Sequence, residues 1–347
     1  MAQKIDWESQ IGRRLKLRDL HVFFTVVQWR SMAEAAKHLG VSQPAVSEII
    51  AGLEHILGVR LLDRSPQGVE PTIYGNALLK GGTAAFDELK QSIRNIEFLA
   101  DANVGEIRIG CPESIAASIL PPVVQEFSER YPRVVLHIND IVSPPLHWPE
   151  LRERRLDVVL ERLVRPQAKD TEDLNVEVLF DDDVVVAAGA HSRWAGRRKI
   201  DLAELVDEPW ILMPSDSWNY RTVAEAFRAR GLPMPPISLM TFSVHLRVNL
   251  LASGRYLTAF PRSVLRINAD RFPIKILPLD LPAQPWPVAV VTLKNRTLSP
   301  VVKLFIDHLR AFVNSKASGL KPAGGERATT KEGQGGENVH PSSVVRS

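Results

Sequence analysis

The residues best suited to specific chemistry lie between positions 42 and 48, where short polar side chains interrupt an apolar repeat. Ser42, Gln43, Ser47 and Glu48 fall on or near the side opposite the apolar positions. Glutamine can bond an adenine edge with two hydrogen bonds, serine can serve any base, and glutamate can accept from cytosine N4. The set predicts hydrogen bonding to base edges in the DNA major groove. A small helical bundle with a solvated polar face is the alternative interpretation.

Two short helices joined by a tight turn must position these side chains. Apolar residues recur at i, i+3, i+4 and i+7 in both stretches, at Met32, Ala35, Ala36 and Leu39 and then at Val46, Ile49, Ile50, Leu53 and Leu57. Gly40 ends the first helix, Ser42 can cap the second, and Pro44 is tolerated in its first turn. The pattern predicts a helix-turn-helix over residues 32–51, whose second helix enters the major groove.

From Leu17 to Thr72 the chain resembles the N-terminal domain of LysR-type transcriptional regulators. The matching positions are Leu20, Phe23, Val27, Ser31, Ala35, Ala36, Leu39, residues 41–47, Leu53, Glu54, Gly58, Arg64, Gly68, Thr72 and Gly75. The resemblance implies a winged helix-turn-helix domain over residues 15–72 that binds double-stranded operator DNA as a dimer, with its wing at residues 59–71. The DNA-binding candidates are Ser31, Ser42, Gln43, Pro44, Ser47, Glu48, Arg60, Arg64 and Thr72, of which the two arginines would meet phosphates or the minor groove.

The charge of this domain departs from the family pattern. Family members often carry a basic residue at the position of Glu48, and further basic residues where this wing has Pro66, Gln67 and Glu70. Residues 1–70 hold nine lysines and arginines against eight acidic residues, a net charge of +1. Because phosphate neutralisation supplies most nonspecific affinity, we expect a shallow salt dependence and reliance on base contacts.

A long helix is predicted over residues 73–101, capped by Thr72. Its apolar residues alternate in steps of three and four, which is the spacing of a coiled-coil seam. The dimerisation candidates on this seam are Leu79, Gly82, Phe86, Leu89, Ile93 and Ile96. The resemblance agrees, since family members dimerise through this segment, and a simple buried helix is the alternative. Gly82 would permit either close approach of the partner helix or a bend.

Strands alternate with helices over residues 104–314, which predicts an α/β domain with a mostly parallel sheet. The resemblance extends through this region and implies an effector-binding domain of two subdomains, similar to periplasmic binding proteins. Subdomain one would hold residues 104–163 and 268–314, and subdomain two residues 164–267. Residues 315–347 are rich in glycine and poor in apolar side chains, which predicts a disordered tail.

Hydroxyl groups follow several predicted strands, at the sheet edge where ligands of such folds bind. The effector-binding candidates are Ser114, Ser143, Arg162, Ser215, Ser217, Ser243 and Phe260. Each has a plainer alternative: serines cap helices, Arg162 can pair with a carboxylate, and an aromatic side chain belongs more often to the core. So many hydroxyls with few cations would suit a sugar, a sugar acid or another oxygen-rich metabolite. Cys111 is interpreted as a buried small side chain.

Composition limits the remaining possibilities. The 347 residues carry a net charge of +3 and a single cysteine, which excludes an internal disulfide and a cysteine-rich metal site. The sequence contains no run of eighteen apolar residues and no apolar leader at its start, so we expect a cytoplasmic protein with no membrane partner. We expect a homodimer or homotetramer that binds operator DNA and a small-molecule effector without a cofactor, with RNA polymerase as a further candidate partner.

Three other function classes are less consistent with the sequence. A small-molecule carrier would suit residues 101–314 but has no use for residues 17–72. An enzyme is disfavoured because the sequence lacks a P-loop, a dinucleotide fingerprint, a Gly-x-Ser-x-Gly elbow and a His-Glu-x-x-His motif. A protein-binding helical adaptor remains, and salt-dependent DNA binding would distinguish it.

Overall fold

The N-terminal unit, which we call the head, is a group of helices followed by a two-stranded wing. The computed structural model describes residues 14–65, 68–101, 103–141, 148–163, 171–269, 271–279, 281 and 285–320. The head elements are α1 (Leu17–Trp29), α2 (Met32–Leu39), α3 (Gln43–Leu57), β1 (Leu62–Ser65) and β2 (Gly68–Pro71). Each helix buries one apolar stripe, and Phe23, Val46 and Ile50 are fully enclosed where the stripes meet. The head is therefore a small apolar core with a polar exterior.

A single helix, α4 (Ile73–Ala100), leaves the head. It begins at Thr72, whose hydroxyl accepts a hydrogen bond from the amide of Gly75 at 3.1 Å. Its 28 residues span about 42 Å at roughly 1.5 Å per residue. We call it the linker helix.

The apolar seam predicted along the linker helix is divided between two environments. Leu79 packs against the head core, and the Phe86 ring meets the Phe24 ring edge-on at 5.4 Å. A Cβ at Gly82 would lie 2.3 Å from Cζ of Phe24, so Gly82 admits the chain's own α1. Gly82 thus faces a helix of its own chain, and its contact with a partner helix stays a prediction.

The C-terminal half of the same seam remains on the surface of the chain. Leu89, Ile93 and Ile96 are 42%, 56% and 66% exposed, and Leu99 beyond them is 84% exposed. Their exposure leaves an apolar stripe on one side of the linker helix.

The rest of the described chain forms two α/β subdomains, each built on a five-stranded sheet. Sheet one has the order β4-β3-β5-β12-β6 and sheet two the order β11-β7-β10-β8-β9. The strands are β3 (Val104–Cys111), β4 (Arg133–Asp140), β5 (Val158–Arg162), β6 (Leu174–Asp182), β7 (Val184–Gly189), β8 (Trp210–Leu212), β9 (Ile237–Met240), β10 (Leu257–Pro261), β11 (Ile274–Ile276) and β12 (Trp286–Leu293). The helices are α5 (Glu113–Ala116), α6 (Leu120–Arg130), α7 (Pro149–Arg152), α8 (Trp218–Ala229), α9 (Val244–Leu251), α10 (Arg262–Ile267) and α11 (Pro300–Leu320), with a 3-10 turn at Leu202–Leu205.

The predicted boundaries between the subdomains are wrong. A strand assigned to subdomain two pairs in sheet one, and a strand assigned to subdomain one pairs in sheet two. Strand β6 pairs with β12 in sheet one, so the chain crosses at Asp182 and Asp183 instead of near residue 163. Strand β11 pairs with β7 in sheet two, so the return lies after residue 276 instead of near 268. Sequence patterning missed β6 because it is an edge strand with most of its residues partly or fully exposed.

Neither sheet is mostly parallel, which corrects a second expectation. In sheet one β3 is parallel to β4 and β5, whereas β12 runs antiparallel to β5 and β6. In sheet two β10 is antiparallel to β7 and parallel to β8. The antiparallel strands are β12 in sheet one and β7 in sheet two. Each of them directly follows a crossing between the sheets, where no helix separates consecutive strands.

Helices cover both faces of each sheet. One face of sheet one packs on α6 and α11 around Phe127 and Phe305, whose rings meet edge-on at 5.3 Å. The corresponding core of sheet two surrounds Trp210 and Phe227, whose ring centres lie 5.8 Å apart. Across the described part of the chain, no helix combines the length and apolarity needed to cross a bilayer.

Candidate functional site

The exposed side of α3 carries the polar residues singled out above. Gln43, Pro44 and Glu48 are exposed and Ser47 is half-buried, whereas Val46 and Ile50 on the opposite side are fully buried. Only the exposed face of α3 is therefore accessible to a binding partner. An amide and a carboxylate can both bond to base edges, and the carboxylate is repelled by the phosphate backbone.

Three of the predicted DNA-binding residues cap helices. The amide of Glu34 donates to Ser31 Oγ at 3.3 Å, and the amide of Ala45 donates to Ser42 Oγ at 3.4 Å. Thr72 caps the linker helix in the same way, and its hydroxyl donates to the carbonyl of Arg60 at 2.7 Å. Their hydroxyls fix where α2, α3 and the linker helix begin.

The wing presents two exposed arginines beside α3. Arg64 lies on β1 and Arg60 shortly precedes this strand. Glu54 fixes the start of the wing, because its Oε1 accepts from the amides of Leu61 at 2.8 Å and Leu62 at 3.2 Å. Gly68 has a φ of 126°, and a Cβ there would meet the Arg30 carbonyl oxygen at 2.8 Å. The wing is thus held against the end of α1, with its arginines outward.

A second candidate site is the cleft between the two sheets. It contains a cavity of about 170 Å³ whose walls come from both subdomains. Subdomain one contributes Glu113, Ser114, Asp140 and Arg162, which follow or end its parallel strands, and subdomain two contributes Trp218, Phe242 and Arg247. The cavity lies at the carboxyl ends of the strands, the position expected of a ligand site in such sheets.

Arg162, predicted as an effector contact, is largely engaged within the protein. Its Nη2 lies 2.8 Å from Asp182 Oδ2, and the two side chains are 1% and 2% exposed. The same guanidinium donates to Ser263 Oγ at 3.0 Å and to Ser114 Oγ at 2.8 Å. Since Ser263 belongs to subdomain two, this buried ion pair joins the subdomains where the chain crosses between them.

Ser114 lines the cavity, but the capping role suggested for it is wrong. A helix capped by Ser114 would begin at Ile115, but this helix begins two residues earlier, at Glu113, with Pro112 at the cap position. The Ser114 hydroxyl accepts from Arg162 instead, which leaves its proton available to a group in the cleft. Ser114 therefore links the turn between β3 and α5 to the ion pair of Arg162 and Asp182.

Glu113 spans the cleft, and sequence analysis missed it. Its Oε2 accepts from the amide of Val244 at 2.8 Å, and its Oε1 accepts from the amide of His245 at 3.2 Å. Ser243, one of the predicted effector residues, caps α9 and also donates its hydroxyl to Glu113 Oε1 at 3.4 Å. A carboxylate of subdomain one thus occupies the N-terminus of a helix of subdomain two.

Two more ionisable groups near Glu113 were also missed. Arg247 is fully buried, and burial lowers its pKa to about 10, an effect that the Glu113 charge opposes. Burial raises the pKa of Asp140 above its ordinary value, and the neighbouring Glu113 carboxylate adds to the rise. Asp140 could have been found from its position at the end of a predicted strand, whereas Arg247 shows no signal beyond its place one turn after Ser243.

The remaining effector candidates lie away from the cavity wall. Phe260 is fully buried and packs in a core cluster, with the Arg247 guanidinium 4.3 Å from its ring centre, so it supports Arg247 from behind. Ser217 is buried and caps α8 by accepting from the amide of Tyr220 at 3.2 Å. Ser215 is exposed on the preceding turn. Ser143 lies outside the described residues.

The cysteine beside the cleft is not exposed. Cys111 is fully buried in the core of sheet one, and burial raises its pKa to about 12. A thiol in this environment stays protonated at neutral pH and is a poor nucleophile.

The linker helix is joined to subdomain one by buried charges that the sequence did not indicate. Asp87 Oδ2 accepts from Arg296 Nε and from Arg154 Nη1, both at 2.8 Å. Arg296 also reaches Asp157 Oδ1 at 2.8 Å, and Arg94 of the linker helix lies 3.5 Å from the same atom. We call these five residues the joint cluster. It fixes one side of the linker helix to the start of β5.

Two protein-family models together match most of the chain. A family model described as the LysR substrate binding domain matches residues 100–314. A second, described as bacterial regulatory helix-turn-helix protein, lysR family, matches residues 17–76.

Individual relatives are similar over most of their length. The HTH-type transcriptional regulator GbpR of Azospirillum brasilense is 27% identical, over 87% of this chain and 88% of that protein. The HTH-type transcriptional regulator TdcA of Escherichia coli (strain K12) is 28% identical, and the match covers 71% of this chain and 77% of TdcA. Among solved structures, a single-residue variant of full-length OxyR from Pseudomonas aeruginosa is similar with a TM-score of 0.57 and 22% identity, covering 86% of this chain and 95% of that one. At 22% identity, the similarity to OxyR shows a shared fold and nothing more.

Proposed function

The chain belongs to the LysR family of bacterial transcriptional regulators, and from this premise we propose that it reads operator DNA through α3 and changes its output when a small metabolite binds in the cleft. The observation that carries the proposal is the two-sided character of α3. One face is sealed into the head core, and the other presents Gln43 and Glu48 to solvent beside the arginines of the wing. The Gln43 amide supports the proposal, because it can both donate and accept and lies at the start of a helix, the part of a recognition helix that contacts base edges.

The proposal includes assembly of at least two copies on one operator. The exposed stripe of Leu89, Ile93, Ile96 and Leu99 supports it, because a contiguous apolar surface on a long helix is stabilised by pairing with a second copy. A single head with so little net positive charge gains affinity when two are linked. Dimers and tetramers both satisfy this requirement, and contact with RNA polymerase on the promoter belongs to the same proposal.

The proposed effector is a small oxygen-rich metabolite, a sugar or an organic acid. The cavity of about 170 Å³ is supported as its site by the mixture of groups on its walls: the Ser114 hydroxyl, the carboxylates of Glu113 and Asp140, and the Trp218 ring. Hydroxyl groups of a ligand can bond to such carboxylates, and an aromatic wall can cover an apolar face of a ring. The ligand shifts the regulator only to the extent that it binds one arrangement of the subdomains better than the other.

DNA reading is tested by replacing Gln43 with alanine. Because a bidentate amide contact discriminates by about 1–3 kcal/mol, we expect Gln43→Ala to bind operator variants with less preference while the protein stays folded. Footprinting and gel retardation on the DNA upstream of the gene measure this. Gln28→Ala, on the exposed surface of α1, is the matched control and should behave as the wild type. Unchanged discrimination between operator variants by Gln43→Ala would refute the role of this face.

Effector binding is tested by titration calorimetry against a panel of sugars and hydroxylated organic acids. A binder found in either class should bind Ser114→Ala more weakly, because that serine lines the cavity, and should bind Ser215→Ala unchanged, because that serine is exposed outside it. A ligand whose affinity is equal for both variants binds elsewhere, and the proposed site would then be wrong.

A further inference from the structure

The Glu113 carboxylate occupies a position that is built to hold an anion. The amides of Val244 and His245 point out of the first turn of α9, where no helical carbonyl is available to them. They donate to the two carboxylate oxygens at 2.8 and 3.2 Å, and the Ser243 hydroxyl reaches one of these oxygens at 3.4 Å. The positive end of the helix dipole adds to the attraction.

A buried arginine, Arg247, lies near this anion position. The Arg247 side chain is fully buried and lines the same cavity. Its Nη1 donates to the carbonyl of Ala259 at 3.0 Å and its Nε approaches the carbonyl of Ser243 at 3.4 Å. Its Nη2 has no hydrogen-bond partner within the described part of the chain. A buried guanidinium with an unused donor requires a nearby negative charge, and Glu113 provides one.

Glu113 lies beside a second carboxylate of its own subdomain, that of Asp140. It belongs to subdomain one, where its charge helps to raise the pKa of the neighbouring Asp140 carboxylate. Glu113 is only half-buried, so its side chain can rotate toward the open side of the cleft. An anion site of subdomain two is therefore filled by a side chain of subdomain one that lies beside a second carboxylate, Asp140.

We propose that the N-terminus of α9 and Arg247 form a carboxylate subsite of the cleft, which Glu113 fills in the effector-free protein and which a carboxylate of the effector takes over. This rests on the proposed function of the cleft as the effector site, and it narrows the effector to a carboxylate-bearing metabolite. The exchange keeps one negative charge beside Arg247 throughout. It also breaks the Glu113 contact between the subdomains, so ligand entry and rearrangement of the subdomains are the same event.

Acetate is the probe for the subsite. Glu113→Ala removes the internal carboxylate and leaves space for an external one, so its midpoint of thermal unfolding should lie below that of the wild type. Sodium acetate should raise that midpoint saturably, relative to sodium chloride at equal ionic strength, while neutral acetamide should not. Glu225→Ala, which removes a 62% exposed side chain of α8, is the matched control and should not respond to acetate.

A second variant covers the possibility that Glu113→Ala does not fold. Glu113→Gln keeps the volume of the side chain but leaves Arg247 without its counter-charge, so acetate should displace the neutral amide and again stabilise the protein. If neither folded variant is stabilised more by acetate than by acetamide, the carboxylate subsite is refuted. That result would leave operator binding untouched. Acetate rescue in a protein that binds no operator would refute the proposed function and retain the subsite.

Discussion

Replacing Asp87 by asparagine removes one charge from the joint cluster and leaves its partners buried. The Arg296 side chain is 1% exposed and that of Arg154 is 12% exposed, so water cannot compensate either of them fully. Removing one partner of a buried pair costs about 3–5 kcal/mol. Arg296 keeps its contact with Asp157 at 2.8 Å, and the asparagine carbonyl still accepts one bond, so we expect about 3 kcal/mol.

Chemical and thermal unfolding measure this loss. Most tryptophans of the chain lie beyond the linker helix, so their fluorescence reports on the subdomains to which Asp87 is bonded. At roughly 2–4 °C per kcal/mol for a domain of this size, the midpoint should fall by about 6–12 °C. Glu88→Gln is the matched control: Glu88 also lies near Arg154, at 3.3 Å, but is 42% exposed, so we expect less than about 1 kcal/mol.

The pH dependence gives the same experiment a second readout. Burial alone would raise the pKa of Asp87, but hydrogen bonds from Arg296 and Arg154 outweigh it and hold the pKa below the ordinary 3.8. A lowered folded-state pKa contributes stability that is present above 3.8 and is lost as the pH falls through the folded value. The difference between wild type and Asp87→Asn should therefore be full at neutral pH and shrink in acid. Equal stability of the two proteins at neutral pH would show that the linker helix is not docked on subdomain one.

Two further experiments test the packing directly. Gly82→Leu should lower the unfolding midpoint of the head without changing the oligomer mass in light scattering, because its side chain would collide with Phe24, whereas Gly81→Ala, with open space around its Cβ, should be neutral or stabilising. A changed oligomer mass would instead place a partner helix there. Cys111 should react with a thiol reagent at pH 8 only after unfolding, and rapid labelling of the native protein would contradict its burial and raised pKa.

The sequence was most informative where local pattern and local structure coincide. The stripes of α2 and α3, the cap residues Ser31 and Ser42, and the glycine turn between the helices follow from periodicity and capping preferences alone. The family resemblance supplied the two-subdomain architecture, which single-segment patterns cannot. It did not locate the crossings, because an edge strand such as β6 buries too little to show a strand period.

The functional groups in the cleft were predicted only in part, for a physical reason. Serines were chosen because they follow strands, yet Ser217 and Ser243 satisfy the amides of their own helices, which is the commonest use of a hydroxyl at that position. The groups that define the cleft, Glu113 and Arg247, belong to segments that meet across 131 positions of sequence. Asp87 and Arg296 likewise meet across 209 positions. Pairings of this range carry no periodic signal.

Two buried ion clusters of the protein lie at opposite ends of one strand. Asp157, in the joint cluster, immediately precedes β5, and Arg162, which binds Asp182 and Ser263 beside the cleft, ends it. All five residues of β5 are buried, between β3 and β12, and close-packed interiors pass a displacement on instead of absorbing it. At about 3.3 Å per residue the strand covers the roughly 17 Å from cleft to linker helix without a loop. A rearrangement at Arg162 and a change at Asp87 therefore act on the same strand, so we expect a double-mutant cycle between the two sites to show a coupling energy, and additivity within about 0.5 kcal/mol would refute this coupling.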